Sequence, residues 1–131
     1  MSMKINCSIL TPDKILYDGQ VHFAVVQAYD GEVGFLYNHA PLVSELGIGE
    51  MRLRTGDITE YMVVEGGFVE IKGNNLVILA ESAYKKEELS KETIENRIKE
   101  IEATEKKTYE QRLMLDIDLK KQKARLKVAS R

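Results

Sequence analysis

Apolar and polar side chains alternate one by one along much of the first 80 residues. The alternating apolar positions are Ile5, Cys7 and Ile9, then Met51 and Leu53, then Val69 and Ile71. A period of two is that of a half-buried β-strand. Segments 21–26 and 76–80 are instead apolar on both faces and need cover on both sides. Turn-forming residues separate these segments at intervals of roughly ten residues, which predicts a β-sandwich or barrel.

The period changes in the last third of the chain. Ile94, Ile98 and Ile101 lie at i, i+4 and i+7, which is one stripe of a helix. Ser90 can cap a first helix, and the sequence from Thr108 to Gln111 has the form of a capping box for a second. The pattern therefore predicts helices near 90–104 and 108–128.

The connection between these helices has no strong helix breaker. Only Thr104 and Thr108 mark it, and threonine is a weak breaker. The same residues could therefore form a hairpin or one helix of about 40 residues, roughly 60 Å long. We expect the two shapes to be close in free energy.

Glycine and proline divide the chain into the same two parts. Both prolines and all nine glycines lie at or before Gly73. Glycine and proline punctuate short strands and are disfavoured inside helices. We therefore place a β-sandwich domain at residues 1–83 and a helical arm at residues 84–131.

Charge is distributed unevenly between these parts. The net charge is −2, but residues 1–80 carry 5 Lys/Arg against 10 Asp/Glu, and the remainder carries 14 against 11. The basic side chains that follow the last acid are Lys120, Lys121, Lys123, Arg125, Lys127 and Arg131. This cluster lacks interleaved aromatic residues, so it gives little support to nucleic-acid binding.

Candidate chemistry is sparse. His22, His39 and Cys7 are not at metal-ligand spacings, and a single cysteine, which cannot form an internal disulfide, favours a reducing compartment. No phosphate-binding glycine loop or nucleophile motif occurs. The sequence thus predicts a protein that is not an enzyme and needs no cofactor or metal, although a nucleotide-sensing domain and an enzyme with a site on the sandwich stay open as alternatives.

One segment is more specific than composition. Residues 30–43 read D-G-E-V-G-F-L-Y-N-H-A-P-L-V. This segment resembles the G-E-[LV]-G-[IF]-x-x-x-H-[AI]-P-L signature of the ε subunit of F-type ATP synthases. Segments 11–19, 66–71 and 75–81 also resemble that family, in the same order along the chain. The resemblance covers essentially the whole sequence.

The resemblance implies an α+β chain by content, with an N-terminal ten-stranded β-sandwich and a C-terminal two-helix antiparallel hairpin. It also implies a rotor subunit on the central stalk, which joins the γ subunit to the membrane-embedded c-ring. The arm would extend into the α/β catalytic head and oppose ATP hydrolysis. The expected location is the cytoplasmic face of a bacterial plasma membrane, bound peripherally through the complex.

The resemblance implies three sets of contact residues, two from matching motifs and one from the role of the arm in the family. The c-ring set is Asp30, Gly31, Glu32 and Val33. The γ set is His39, Ala40, Pro41 and Leu42. The inhibitory set, which would meet acidic residues of the head, is Lys120, Lys121, Lys123, Arg125 and Lys127.

The sequence departs from the family at two places. Tyr37-Asn38 precedes His39 where many members have Pro-Gly, which puts the loop's shape in question. Some bacterial members bind ATP through an I/L-D-x-x-R-A motif, but the aligned residues here, 89–94, read L-S-K-E-T-I. The Asp and Arg of that motif are absent, so we expect no nucleotide-binding residues at these positions.

Overall fold

The computed structural model describes residues 3–131, so Met1 and Ser2, which begin the predicted 1–83 domain, lie outside it. The strands are β1 (Ile5–Leu10), β2 (Ile15–Val21), β3 (Phe23–Ala28), β4 (Gly31–Phe35), β5 (Leu42–Thr55), β6 (Ile58–Lys72) and β7 (Asn75–Lys85). A short 3₁₀ helix (Lys86–Glu88) leads to α1 (Lys91–Ala103) and α2 (Tyr109–Ala129). The sheet order is β2-β1-β7-β6-β5-β3-β4, and among these described strands the β1–β7 pair is parallel and the others are antiparallel.

A single core lies inside this sheet. Its buried side chains come from all seven strands, including Leu16 of β2 and Phe35 of β4 at the two ends of the strand order. Strands at opposite ends can share one core only if the sheet closes over it. The alternating residues Ile5, Cys7 and Ile9 all lie in this core, as their period of two requires.

The predicted strand number is wrong, whereas the predicted sandwich with two C-terminal helices is confirmed. In the part of the chain that the structure describes, the sheet has seven strands instead of ten, because β5, β6 and β7 are 14, 15 and 11 residues long. Gly47 and the Gly66-Gly67 pair indicate turns in the sequence, yet pairing continues on both sides of each. These glycines bend continuous strands, since Gly66 and Gly67 have φ of +80° and +117°.

Gly67 gives a direct stability prediction. A Cβ on this residue would lie 2.0 Å from the Leu79 carbonyl oxygen, and its positive φ strains any other residue. We expect Gly67→Ala to lower the free energy of unfolding by about 3 kcal/mol or more. Gly56→Ala is the matched control, because Gly56 also has positive φ but has open space around its Cα. Urea unfolding curves that show equal losses for the two variants would refute this account.

The arm forms the predicted hairpin, with boundaries one residue from those expected. The Ser90 and Thr108 hydroxyls accept hydrogen bonds from the backbone N–H groups of Thr93 and Gln111, and thereby cap both helices. The Gln111 side chain accepts from the Lys107 N–H instead of closing a standard capping box.

Within residues 3–131, one ion pair crosses between the helices of the arm and a second joins their connection to α2. Arg97 of α1 donates to Asp118 of α2 at 2.7 and 3.0 Å. Lys106, in the connection, pairs with Asp116 at 2.6 Å. Among residues 3–131, neither helix is long and apolar enough to cross a membrane.

Candidate functional site

The predicted c-ring residues lie at one exposed hairpin. Tyr29 and Asp30 form the turn between β3 and β4, and Gly31 takes φ of +136° to complete it. Asp30 and Glu32 are exposed, although Glu32 accepts a hydrogen bond from Arg52 at 3.3 Å. Tyr29 is 79% exposed at the same tip and was not predicted. The turn therefore presents a carboxylate and a phenol ring to solvent.

The predicted γ residues form the end of the loop between β4 and β5. Ala40 and Pro41 are exposed, and His39 packs against the Phe35 ring with 5.1 Å between ring centroids. Asn38 takes φ of 64°, a conformation that glycine adopts freely and asparagine tolerates. Its backbone N–H donates to the Asn74 side-chain oxygen at 2.7 Å. Asn38 thus adopts the positive-φ backbone conformation that a glycine would adopt at this position.

This loop leads directly into an exposed apolar face of the sheet. Val43 follows Leu42 on β5, and it is 66% exposed. Phe68 and Leu79 are direct partners across β6 and β7, and they are 57% and 53% exposed. We define the apolar face as Leu10, Val43, Phe68, Val77 and Leu79. The register places all five on one side of the sheet, and a solvent-exposed cluster of this kind indicates a binding surface.

The predicted inhibitory residues do not form one free cluster. Lys120, Lys123 and Lys127 are exposed on α2, and Lys121 is partly exposed. Arg125 instead faces the sandwich, where its guanidinium pairs with Glu65. The structure thus leaves four of the five cations available and engages the fifth.

Glu65 is the centre of this contact. Its side chain is 0% exposed. Arg125 Nε donates to Oε2 at 2.6 Å and Nη2 donates to Oε1 at 2.8 Å, while the Ser82 hydroxyl donates to Oε1 at 2.8 Å. The guanidinium also stacks over the Tyr84 ring at 4.8 Å. Hydrogen bonding to Glu65 raises the pKa of Arg125 above its usual value, so the guanidinium keeps its charge in this contact.

A second contact of the same kind joins Arg131 to Glu50 on the neighbouring strand β5. Arg131 Nε and Nη2 donate to Glu50 Oε2 and Oε1 at 2.9 and 2.7 Å, and the guanidinium lies over the Tyr61 ring at 4.7 Å. Arg52 donates to the same Oε1 at 3.3 Å. Burial raises the pKa of Glu50, but hydrogen bonds from Arg131 and Arg52 and the charge of Lys127 outweigh it and hold the pKa below its usual range.

A pocket of about 360 Å³ lies between the end of β7, the 3₁₀ helix and the two helices of the arm. Its lining includes Ser90 and Thr93, which replace the Asp and Arg of the ATP motif, together with Arg97 and Arg125. Both arginines already have carboxylate partners, Asp118 and Glu65 respectively. The groups that could attract a phosphate here are therefore neutralised within the chain.

The structure gives Cys7 a packing role. Its side chain is fully buried in the core, and burial followed by the charge of Asp18 raises its pKa to about 12. The thiol is thus protonated at neutral pH and unreactive. His22 accepts a hydrogen bond from the Gly56 N–H at 2.9 Å. Within residues 3–131, no three His, Cys, Asp or Glu side chains are grouped as metal ligands would be.

Sequence reasoning did not identify Glu50, Glu65 or Arg131 as site residues. The alternation places each acid on the strand face opposite the core residues Met51 and Val64, where the arm packs over the sheet and the acids are buried. A buried carboxylate requires a cation or several donors. The basic end of the chain is the natural source of those cations.

Comparison with known proteins gives consistent matches. The family described as "ATP synthase, Delta/Epsilon chain, beta-sandwich domain" matches residues 4–86. The chain is 40% identical over 128 residues to an ATP synthase epsilon chain of Leptospira borgpetersenii, covering 98% of this chain and 97% of the relative. It is 32% identical over 126 residues to a chloroplastic ATP synthase epsilon chain of Nicotiana tomentosiformis, covering 96% and 95%.

Solved structures share the fold. A chain in the mitochondrial ATP synthase of Euglena gracilis, described as OSCP/F1/c-ring in rotational state 1, superposes with a TM-score of 0.87 at 21% identity and covers 98% of this chain and 82% of that one. A chain in the central stalk/c-ring structure of Tetrahymena thermophila gives a TM-score of 0.60 at 12% identity, with coverage of 99% and 95%.

Proposed function

Since the chain belongs to the ATP synthase epsilon chain family, we propose that it couples the γ subunit to the c-ring as part of the central stalk. Membership confirms the resemblance recognised in the sequence, and it confirms that the chain is a non-catalytic subunit of ATP synthase. The finer assignments to γ, the c-ring and the catalytic head are proposals, and each is supported by a different surface.

The apolar face carries the proposal for γ. It continues the His39–Leu42 loop without a break, since Leu42 begins β5 and Val43 follows. Phe68 and Leu79 stand side by side at its centre, and large apolar side chains at the centre of a patch carry much of the energy of protein–protein binding. Its acidic neighbours Glu45 and Glu70 are exposed on the same side and form a polar rim.

The β3–β4 turn carries the proposal for the c-ring. Its tip is narrow and polar, which suits a small contact with polar loops at a membrane surface. Asp30 and Tyr29 can accept or donate hydrogen bonds there, and Gly31 and Val33 support the turn from β4. Contact with the c-ring would hold the chain peripherally at the membrane, and in a bacterial cell the c-ring face that carries the stalk is cytoplasmic.

The arm carries the proposal for regulation. The cations of the inhibitory set point to several sides of α2, which suits insertion into a cavity lined by acidic residues of the α/β head. The same helix exposes Tyr109, Leu113, Met114 and Ile117 in the hairpin form. These apolar side chains would gain cover in an extended arm, so they reduce the cost of leaving the hairpin.

The nucleotide-sensing alternative makes a different prediction for the isolated chain. We expect ATP to bind with a dissociation constant weaker than about 1 mM, because Arg97 and Arg125 are already neutralised and the Asp of the binding motif is replaced by Ser90. Isothermal titration calorimetry measures this directly. Sub-millimolar affinity would favour the nucleotide-sensing alternative.

Gentle purification of the tagged chain tests the proposed function as a whole. We expect γ, the α/β head and the c-ring to co-purify in fixed stoichiometry. The continuity of the γ loop with the apolar face is the observation on which this expectation mainly rests. Recovery of the chain without γ would contradict the proposal, and recovery with γ but without the c-ring would contradict its c-ring part.

A further inference from the structure

We propose that Glu65 and Glu50 form the sandwich side of a latch that holds the arm in its hairpin position, with Arg125 and Arg131 as the arm side. The latch is defined here as these four residues. The contact lies within this chain and does not depend on the proposed function. The consequence of its release, extension of the arm toward the catalytic head, does rest on the proposed function.

The two arginine–glutamate pairs of the latch have the same geometry. Each arginine donates two hydrogen bonds to one buried carboxylate, at 2.6 to 2.9 Å, and lies over a tyrosine ring. Paired donors in a fixed plane give both strength and orientation. One contact lies in the last turns of α2, at Arg125, and the other follows the helix, at Arg131. Two contacts at separate points fix the direction of α2 as well as its distance from the sandwich.

Both carboxylates are buried in the docked state, on the outer face of the sheet beneath α2. The side chains of Glu65 and Glu50 are 0% and 1% exposed, whereas their arginine partners are 22% and 37% exposed. Ion pairs on an open surface contribute little to stability. Substituting one partner of a buried pair while the arm stays docked has a much larger effect, because the remaining charge is then desolvated without its partner.

The two glutamates of the latch differ in the partners that they keep when the arm leaves. Glu50 keeps Arg52 as a cation at 3.3 Å, although Arg52 also donates to Glu32. Glu65 keeps only the Ser82 hydroxyl among its present partners. Glu65 therefore depends on Arg125 as its cation more than Glu50 depends on Arg131, and we assign Glu65 the larger share in holding the arm.

The latch also makes two uses of Arg125 mutually exclusive. Arg125 belongs to the inhibitory set that would meet the catalytic head, yet in the hairpin the Nε–Nη2 edge of its guanidinium is bound to Glu65. An arm that reaches the head must first give up Glu65. The sandwich therefore competes with the head for the same side chain, which gives the chain a built-in threshold for extension.

Hydrogen–deuterium exchange of the full isolated chain tests the latch. Glu65→Gln keeps the size of the side chain but removes its charge, and we expect the α2 amides to exchange at least about tenfold faster. Glu60→Gln is the matched control, because Glu60 is an exposed acid on the same strand. We expect it to leave α2 exchange unchanged.

Arg125→Gln tests the same contact from the arm and leaves the sandwich sequence intact, so it decides the question if Glu65→Gln fails to fold. The double variant should exchange no faster than the faster single variant, because both remove one interaction. Wild-type α2 exchange in Arg125→Gln, or additive effects in the double variant, would overturn the latch. Exchange does not depend on hydrolysis, so failure of the regulatory proposal is detected separately in the assembled enzyme.

Discussion

Replacing Phe68 with glutamate is expected to weaken binding of the chain to γ by about 30-fold or more, since a central aromatic anchor contributes about 2 kcal/mol or more. Phe68 faces solvent beside Leu79 on the apolar face, so the new carboxylate would be buried against γ without a partner. The fold should be unaffected, because this side chain is exposed in the isolated chain. Surface plasmon resonance with purified γ measures the change.

Ile58→Glu is the matched control for this experiment. Ile58 is 69% exposed at the start of β6, near the β5–β6 turn and away from Phe68 along the strand. It introduces the same charge on the same strand, so a general electrostatic effect would appear in both variants. Equal weakening by the two variants, or unchanged binding by Phe68→Glu, would remove the apolar face as the γ surface.

Alanine at all five positions of the inhibitory set is expected to raise ATP hydrolysis by the assembled enzyme about threefold or more, while assembly stays intact. Four of these side chains lie exposed or partly exposed on α2, and removing their charge removes the attraction to acidic residues of the head. Arg125→Ala also opens the latch, which on its own would favour extension. Hydrolysis assays on the purified complex give the net result.

A second set of lysines serves as the control for charge alone. Lys91, Lys99 and Lys107 are exposed on α1 and the connection that follows it, and their replacement by alanine should leave hydrolysis unchanged. The four lysines of the inhibitory set can also be replaced with and without Arg125→Ala. This comparison separates binding of the arm to the catalytic head from its docking on the sandwich through the latch. If hydrolysis is unchanged in the full variant and also after deletion of the arm, the regulatory assignment is wrong.

The fold was largely predictable because the period of the apolar residues matches the side chains that the structure buries. The alternation at Ile5, Cys7 and Ile9 identifies a strand whose inner face is fully buried, and the Ser90 and Thr108 caps locate both helices to within one residue. Strand number was not predictable, since Gly66-Gly67 has the same sequence signature whether it turns the chain or bends a continuous strand. Only long-range pairing distinguishes the two.

The latch was hidden from sequence reasoning for a related reason. The chain separates Arg125 from Glu65 by 60 residues and Arg131 from Glu50 by 81, so no local pattern joins them. The sequence predicts one inhibitory set at the basic end of the arm, but the orientation of α2 turns Arg125 toward the sandwich and leaves Lys123 and Lys127 exposed. Which face of a charged helix meets the core is a property of tertiary packing.

The hydrolysis rate of the assembled enzyme carrying Glu65→Gln tests the central claim most directly, namely that the sandwich and the catalytic head compete for the arm. This substitution weakens the docked state and leaves every residue of the inhibitory set in place. The account predicts a hydrolysis rate below that of the wild-type enzyme, opposite in direction to the effect of the five alanines. A rate equal to or above the wild-type value, in an enzyme whose α2 amides exchange faster, would contradict it.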